Sequence, residues 1–129
     1  MIRKIAFALG LGLVPAAALA QDAAQPADAE ATYEAARNQL GILQYCNDQG
    51  FSGTEAVETQ AQLIALLPGG DAAAGDAAES KGAEGTVAIS GTEIALSEAA
   101  ENQGSTVEST CQQIEAAVNQ IADSLPPAG

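Results

Sequence analysis

The sequence predicts an all-α fold: a small antiparallel bundle of about four helices, closed by one disulfide. Three observations predict it. Val107, Cys111, Ile114, Val118, Ile121 and Leu125 recur at alternating spacings of four and three, the seam by which helices pack on one another. The pattern Ser-Xaa-Xaa-Glu occurs at Ser52/Glu55, Ser90/Glu93 and Ser105/Glu108, a box in which two side chains satisfy backbone N–H groups at a helix start. Cys46 falls near the end of the first periodic segment and Cys111 near the start of the last, so a bond between them sets those two helices antiparallel.

The elements are expected in this order. Residues 1–20 read as a signal peptide. Arg3 and Lys4 precede an apolar stretch from Ile5 to Val14, Pro15 follows, and Ala18-Leu19-Ala20 ends the segment, with cleavage after Ala20. Residues 21–28 form a flexible leader, residues 29–125 the helical domain, and residues 126–129 a tail. A first helix is expected from Glu30 to Asp48, with Tyr33, Ala36, Leu40, Leu43 and Cys46 on one face. Gly41 weakens its middle by about 1 kcal/mol relative to Ala, and Gly50 caps it in the left-handed region.

A second helix starts at Ser52 and ends before Pro68. Val57, Ala61, Ile64 and Leu67 form its stripe, and Leu63 and Leu66 widen it, which predicts broader burial than in the first helix. Residues 71–88 hold helix formers interrupted by Gly75, Gly82 and Gly85. They are expected to be a loose Ala/Gly-rich segment, although small residues also permit close helix–helix approach. A third helix is expected from Gly91 to Asn102, with Ile89 stapled onto Ile94, and the last from Ser105 to Leu125. A bundle core is the expected role of that last seam; a dimerisation or membrane face is the alternative.

All 17 acidic residues lie after Ala20, against only two of the basic ones, Arg37 and Lys81, so the chain beyond the signal peptide carries a net charge of −15. A field of that sign repels nucleic acid and anionic headgroups and excludes nucleic-acid binding; it favours cationic partners. The same acidity is also what a saline habitat selects. After Ala20 the aromatics are Tyr33, Tyr45 and Phe51, so the core is thin and calls for a covalent staple. Two cysteines in an exported chain most simply form one intramolecular bond. For this pair that bond is worth about 4 kcal/mol in the chain-entropy model. Free redox-active thiols or an intermolecular bond are the alternatives. The expected location is the periplasm or the medium.

The chemistry-bearing residues exclude more than they suggest. Without His there is no imidazole base, and no Cys-Xaa-Xaa-Cys is present for zinc. Lys81 sits in a Gly-rich stretch that does not offer the dry surroundings a Ser–Lys dyad needs. Glu30/Glu34, Glu55/Glu58 and Glu98/Glu101 read as solvated helix faces rather than a glycosidase pair. Asn47–Gly50 and Asp71–Glu79 miss the alternating acidic spacing of a calcium loop. No catalytic, cofactor-binding or metal-ligating residue is assigned, no cofactor is expected, and the chain is not expected to be an enzyme. Cys46 and Cys111 are the assigned residues, as a structural pair.

Tyr33-Glu-Ala-Ala-Arg37-Asn-Gln-Leu-Gly41, then Tyr45-Cys46, Gly50, Lys81-Gly82, Gly85-Thr86-Val87 and Cys111, resemble a group of small exported two-cysteine proteins of Gram-negative bacteria. That group carries the label of the early secreted antigenic target family, described as pore-forming. The resemblance spans about residues 33–121; the Trp-Xaa-Gly turn of that family's helical hairpin has no counterpart in a chain without Trp. It implies a helical, exported, membrane-perturbing protein, with a lipid bilayer or self-association as partner. The composition supports a second expectation: a periplasmic binding or protective protein, an acid-stress holdase or a cation binder, whose protein partner the sequence does not name.

Overall fold

A computed structural model of the chain describes residues 26–89 and 91–125. The expected signal peptide, residues 21–25 of the leader, Ser90 and the tail at 126–129 lie outside the described residues. Within them the order is α1 (Pro26–Asp48), α2 (Thr54–Leu66), α3 (Ala72–Ala83), β1 (Thr86–Ile89), β2 (Thr92–Ala95), α4 (Leu96–Asn102) and α5 (Val107–Ala122). The fold is a small, mostly helical bundle with one buried disulfide. Among the described residues there are five helices rather than about four, and a two-stranded hairpin is added.

Helix α1 is the centre, in contact with α2, α3, α5 and β1. It starts at Pro26, inside the expected leader, where a residue lacking an N–H and preset to helical φ costs nothing. Gly50, at φ +79°, stops it: its N–H donates to the Asn47 carbonyl and that of Phe51 to the Cys46 carbonyl. Cys46 and Cys111 are bonded, their Cα atoms 5.7 Å apart and both side chains fully buried. Earlier along α1, Leu43 shares an apolar cluster with Val118, later along α5, so the two helices run antiparallel as expected.

Four elements depart from the expectations. The Ser52/Glu55 box does not form; Gly53 precedes α2, and its N–H donates to the Glu115 carboxylate of α5 at 2.5 Å. A tertiary carboxylate thus satisfies the helix start that a local side chain was expected to satisfy. The Ser105/Glu108 box is displaced by one residue. The Ser105 N–H is committed to the Ala100 carbonyl in the turn closing α4, and Thr106 caps α5 by accepting from the Ser109 N–H at 3.1 Å.

The helix expected from Gly91 begins only at Leu96. Residues 86–89 and 92–95 pair antiparallel, with Val87 opposite Ile94 and Ile89 opposite Thr92. Thr86, Val87, Ile89, Thr92 and Ile94 are β-branched, and Gly91 takes φ +80°, so a two-residue hairpin competes successfully with the capping box. The staple of Ile89 on Ile94 is replaced by these cross-strand pairs.

Residues 72–83, expected to be loose, form helix α3, which packs closely on α1. Asp71 caps it by accepting from the Ala73 and Ala74 N–H groups. Gly41 and Gly82, read from the sequence as weak points, are where the two backbones meet. An added Cβ at Gly41 would overlap the Glu79 carbonyl and lie 2.7 Å from the Ala83 nitrogen. One at Gly82 would overlap the Asn38 carbonyl and lie 2.7 Å from the Ile42 nitrogen. The missing methyls are what let α3 dock.

The core is as thin as the composition implies. Its largest fully buried side chains among the described residues are Leu43, Val118, Cys46 and Cys111, so the disulfide is half of that group. Ile42 and Leu96 pack on the bond, with Tyr45, Phe51, Val87 and Val107 around it.

Gly82→Ala removes an unfavourable helix propensity of about 1 kcal/mol yet destabilises through overpacking, by about 3 kcal/mol; urea unfolding monitored by circular dichroism measures the net loss. Cys46→Ala/Cys111→Ala is expected to lose about 4 kcal/mol in the same measurement.

Candidate functional site

Helix α2 buries the start of its apolar face, where Val57 packs beside Leu43 and Val118, and leaves the rest partly open. The residues it buries are Ala56, Thr59 and Gln60. Leu66 is 59% exposed, and Leu63, Ile64 and Leu67 are only half-buried, so the broad burial expected for this helix is not what forms. Polar groups inside and large apolar groups outside are the informative deviation in a folded protein.

The reason is the α1–α2 contact. The Gln60 amide nitrogen donates to the Ala36 carbonyl at 3.0 Å, and the Gln39 amide donates to Gln60 Oε1 at 3.3 Å. Asn38, 3% exposed, joins three segments: its amide nitrogen donates to the Ala78 and Thr86 carbonyls at 2.9 and 3.0 Å, and its Oδ1 accepts the Ala88 N–H at 3.1 Å. That side chain carries α3 and β1 to α1 at once. Periodicity gave no sign of it, because a buried amide looks like any polar residue in sequence.

The outcome is an open groove of about 550 Å³, a size within the range of binding sites. Its floor on α1 is mostly small: Thr32, Ala35, Ala36 and Gln39. Leu63 of α2 and Leu67 just after it form one wall, Ile114 and Ile121 of α5 another, and Val87 and Ile89 of β1 complete the lining. Ile89 and Ile121 stand 54% and 44% exposed at its edges. No ionisable side chain lines it, and the Asn38 and Gln60 amides are already hydrogen-bonded within the fold. The groove therefore offers apolar contact surface and no proton-transfer group.

The described cations lie elsewhere. Arg37 sits between α1 and α3. Its Nε donates to Glu79 at 2.8 Å, its Nη2 pairs with Asp76 at 2.5 Å, and its Nη1 donates to the Tyr33 hydroxyl at 2.8 Å. Burial pulls its pKa down, but the bonds to Glu79, Asp76 and Tyr33 outweigh that and hold it above its ordinary value. Arg37 is therefore a fixed positive clamp across the α1–α3 seam, and Gln44 donates to the other oxygen of Glu79 at 3.1 Å. Lys81 pairs with Glu93 of β2.

Of the residues singled out in the sequence, Cys46 and Cys111 come together, buried beneath the groove's α5 wall in the cluster that Ile114 packs against. Glu55, Glu58, Glu98 and Glu101 are exposed, as solvated faces would be. Among the described residues no three His, Cys, Asp or Glu side chains converge as a metal would require, and no helix is long and apolar enough to cross a membrane. No protein-family model, curated protein or solved structure matches the chain.

Asn38→Ala would leave two carbonyls and one N–H without their partner. The expected loss is about 3 kcal/mol, measured by urea unfolding, with amide exchange rising first in β1 and α3.

Proposed function

We propose that the chain is an exported, non-enzymatic binding protein of the protective, holdase-like kind, which shields apolar segments of partly unfolded client proteins in its groove. The observation that carries this reading is the open end of the α2 face: Leu63 and Leu67 stay half-open across the groove from Ile114, Ile121 and Ile89, while Thr59 and Gln60 take the buried positions beside them. A chain with few large apolar residues leaves some of them outside its core, where contact with a client would remove them from water at about 25 cal/mol per Å². Secretion through the segment ending at Ala20 belongs to the same proposal and agrees with a bond that needs an oxidising compartment.

The resemblance to pore-forming exported proteins supports a second reading, membrane perturbation. Leu66, exposed at the end of α2 just before Pro68, favours it. Against it stand the chain's net charge of −13 and the Cys46–Cys111 bond, which ties α5 to α1.

Nile red, a neutral apolar dye, is expected to bind the folded oxidised protein, and Ile89→Gln/Ile121→Gln to weaken that binding roughly tenfold or more. Suppression of client aggregation is expected to fall in step. Dye release from lipid vesicles that rises in acid, without protection of a client, would replace the binding reading with the membrane one.

A further inference from the structure

The groove is uncharged, but the elements that wall it are not neutral. Helix α2 carries Glu55 and Glu58, helix α5 carries Glu108 and Glu115, and Asp123 follows α5 directly. Neither helix has a Lys or Arg. The two cations among the described residues are both engaged outside these two helices, Arg37 of α1 with Asp76 and Glu79 of α3, and Lys81 of α3 with Glu93 of β2. Whatever enters the groove therefore meets apolar side chains below and negative potential from both flanking helices.

From this juxtaposition we propose that the preferred occupant is a cationic amphipathic helix. Its apolar face lies between Leu63, Leu67, Ile114 and Ile121, and its Lys or Arg side chains lie outward in the negative potential of the carboxylates of α2 and α5. The inference rests on the binding reading above and narrows it to one partner chemistry.

Charge decides among the possible occupants. A second copy of this chain brings the same net charge of −13 and is repelled, as are anionic lipid headgroups and acidic peptides. A neutral apolar segment gains the burial but none of the attraction. A cationic amphipathic helix gains both, since its apolar residues at i, i+3, i+4 and i+7 make one stripe for a groove between helices while its basic residues face outward. Long Lys and Arg stems also cover apolar surface at the edges, where Ile89 and Ile121 stand half-exposed.

The test uses three labelled helical peptides that share one apolar face, with polar faces built from Lys, Gln or Glu. Binding to the oxidised protein is read by fluorescence anisotropy at low and high salt, beside Nile red binding as the measure of the groove itself. The expected order is Lys, then Gln, then Glu. The Lys peptide should bind roughly tenfold or more tighter than the Gln peptide at low salt, a gap that closes as salt screens the carboxylates. Ile89→Gln/Ile121→Gln should weaken the Lys and Gln peptides alike; both positions are exposed, and circular dichroism confirms the fold. Equal binding of all three peptides, or no peptide binding with Nile red still bound, overturns the inference and leaves the binding reading intact. Lys-peptide binding untouched by the groove substitutions assigns it to the acidic surface at large and also overturns the inference. Loss of Nile red binding as well removes the binding reading itself.

Discussion

The Cys46–Cys111 bond joins α1 to α5 inside the main apolar cluster, and the other elements are placed by the α1 that it holds. Both sulfurs are fully buried with Ile42 and Leu96 against them, so the bond acts twice: it closes a long loop and it supplies core volume. A chain this poor in aromatics has few other ways to fill that space. The antiparallel sense of α1 and α5 follows from the bond's position near the end of one helix and the start of the other, and Leu43 meeting Val118 extends the same contact.

Around α1 the fold economises on bulk by different means on each side. Toward α3 it uses close approach: Gly41 and Gly82 let backbones touch, and the Arg37 clamp to Asp76 and Glu79 locks the pair where few apolar atoms are available. Toward α2 it uses amides, Gln60 donating to the Ala36 carbonyl and Gln39 to Gln60, and toward α3 and β1 the Asn38 amide donates to the Ala78 and Thr86 carbonyls. Such bonds hold direction better than thin apolar contact does, since each has one geometry and leaving it unmade is costly.

The groove is the complement of that arrangement. Thr59 and Gln60 take the buried positions of the α2 face, and Leu63 and Leu67, further along the same face, stay half-open across from Ile114, Ile121 and Ile89. Local pattern and tertiary placement disagree here more than anywhere else in the chain, and such disagreements are expected to concentrate where a surface is used. The acidic residues of α2 and α5, with Arg37 and Lys81 held in ion pairs by α3 and β2, give that surface a polarity as well as a shape.

The sequence by itself determined the helical class, the disulfide pair, the end of α1 at Gly50, and the seam of α5 through Cys111 and Val118. Each of these rests on local periodicity, a left-handed glycine or a count of two cysteines, and none needs a neighbour. Tertiary structure alone decided that 86–95 is a hairpin rather than a helix start, that Gly41 and Gly82 are contacts rather than weaknesses, and that α2 faces inward with its amides. In each case several local solutions were nearly equal. Ser90-Gly-Thr-Glu can cap a helix or turn a hairpin, a glycine can loosen a helix or admit another, and a glutamine can face water or a buried carbonyl. The partner that breaks the tie lies far away in sequence: Asn38 for Ala88, Glu79 for Gly41, and the Ala36 carbonyl for Gln60. The groove was invisible for the same reason, since it exists only where α1, α2, β1 and α5 converge.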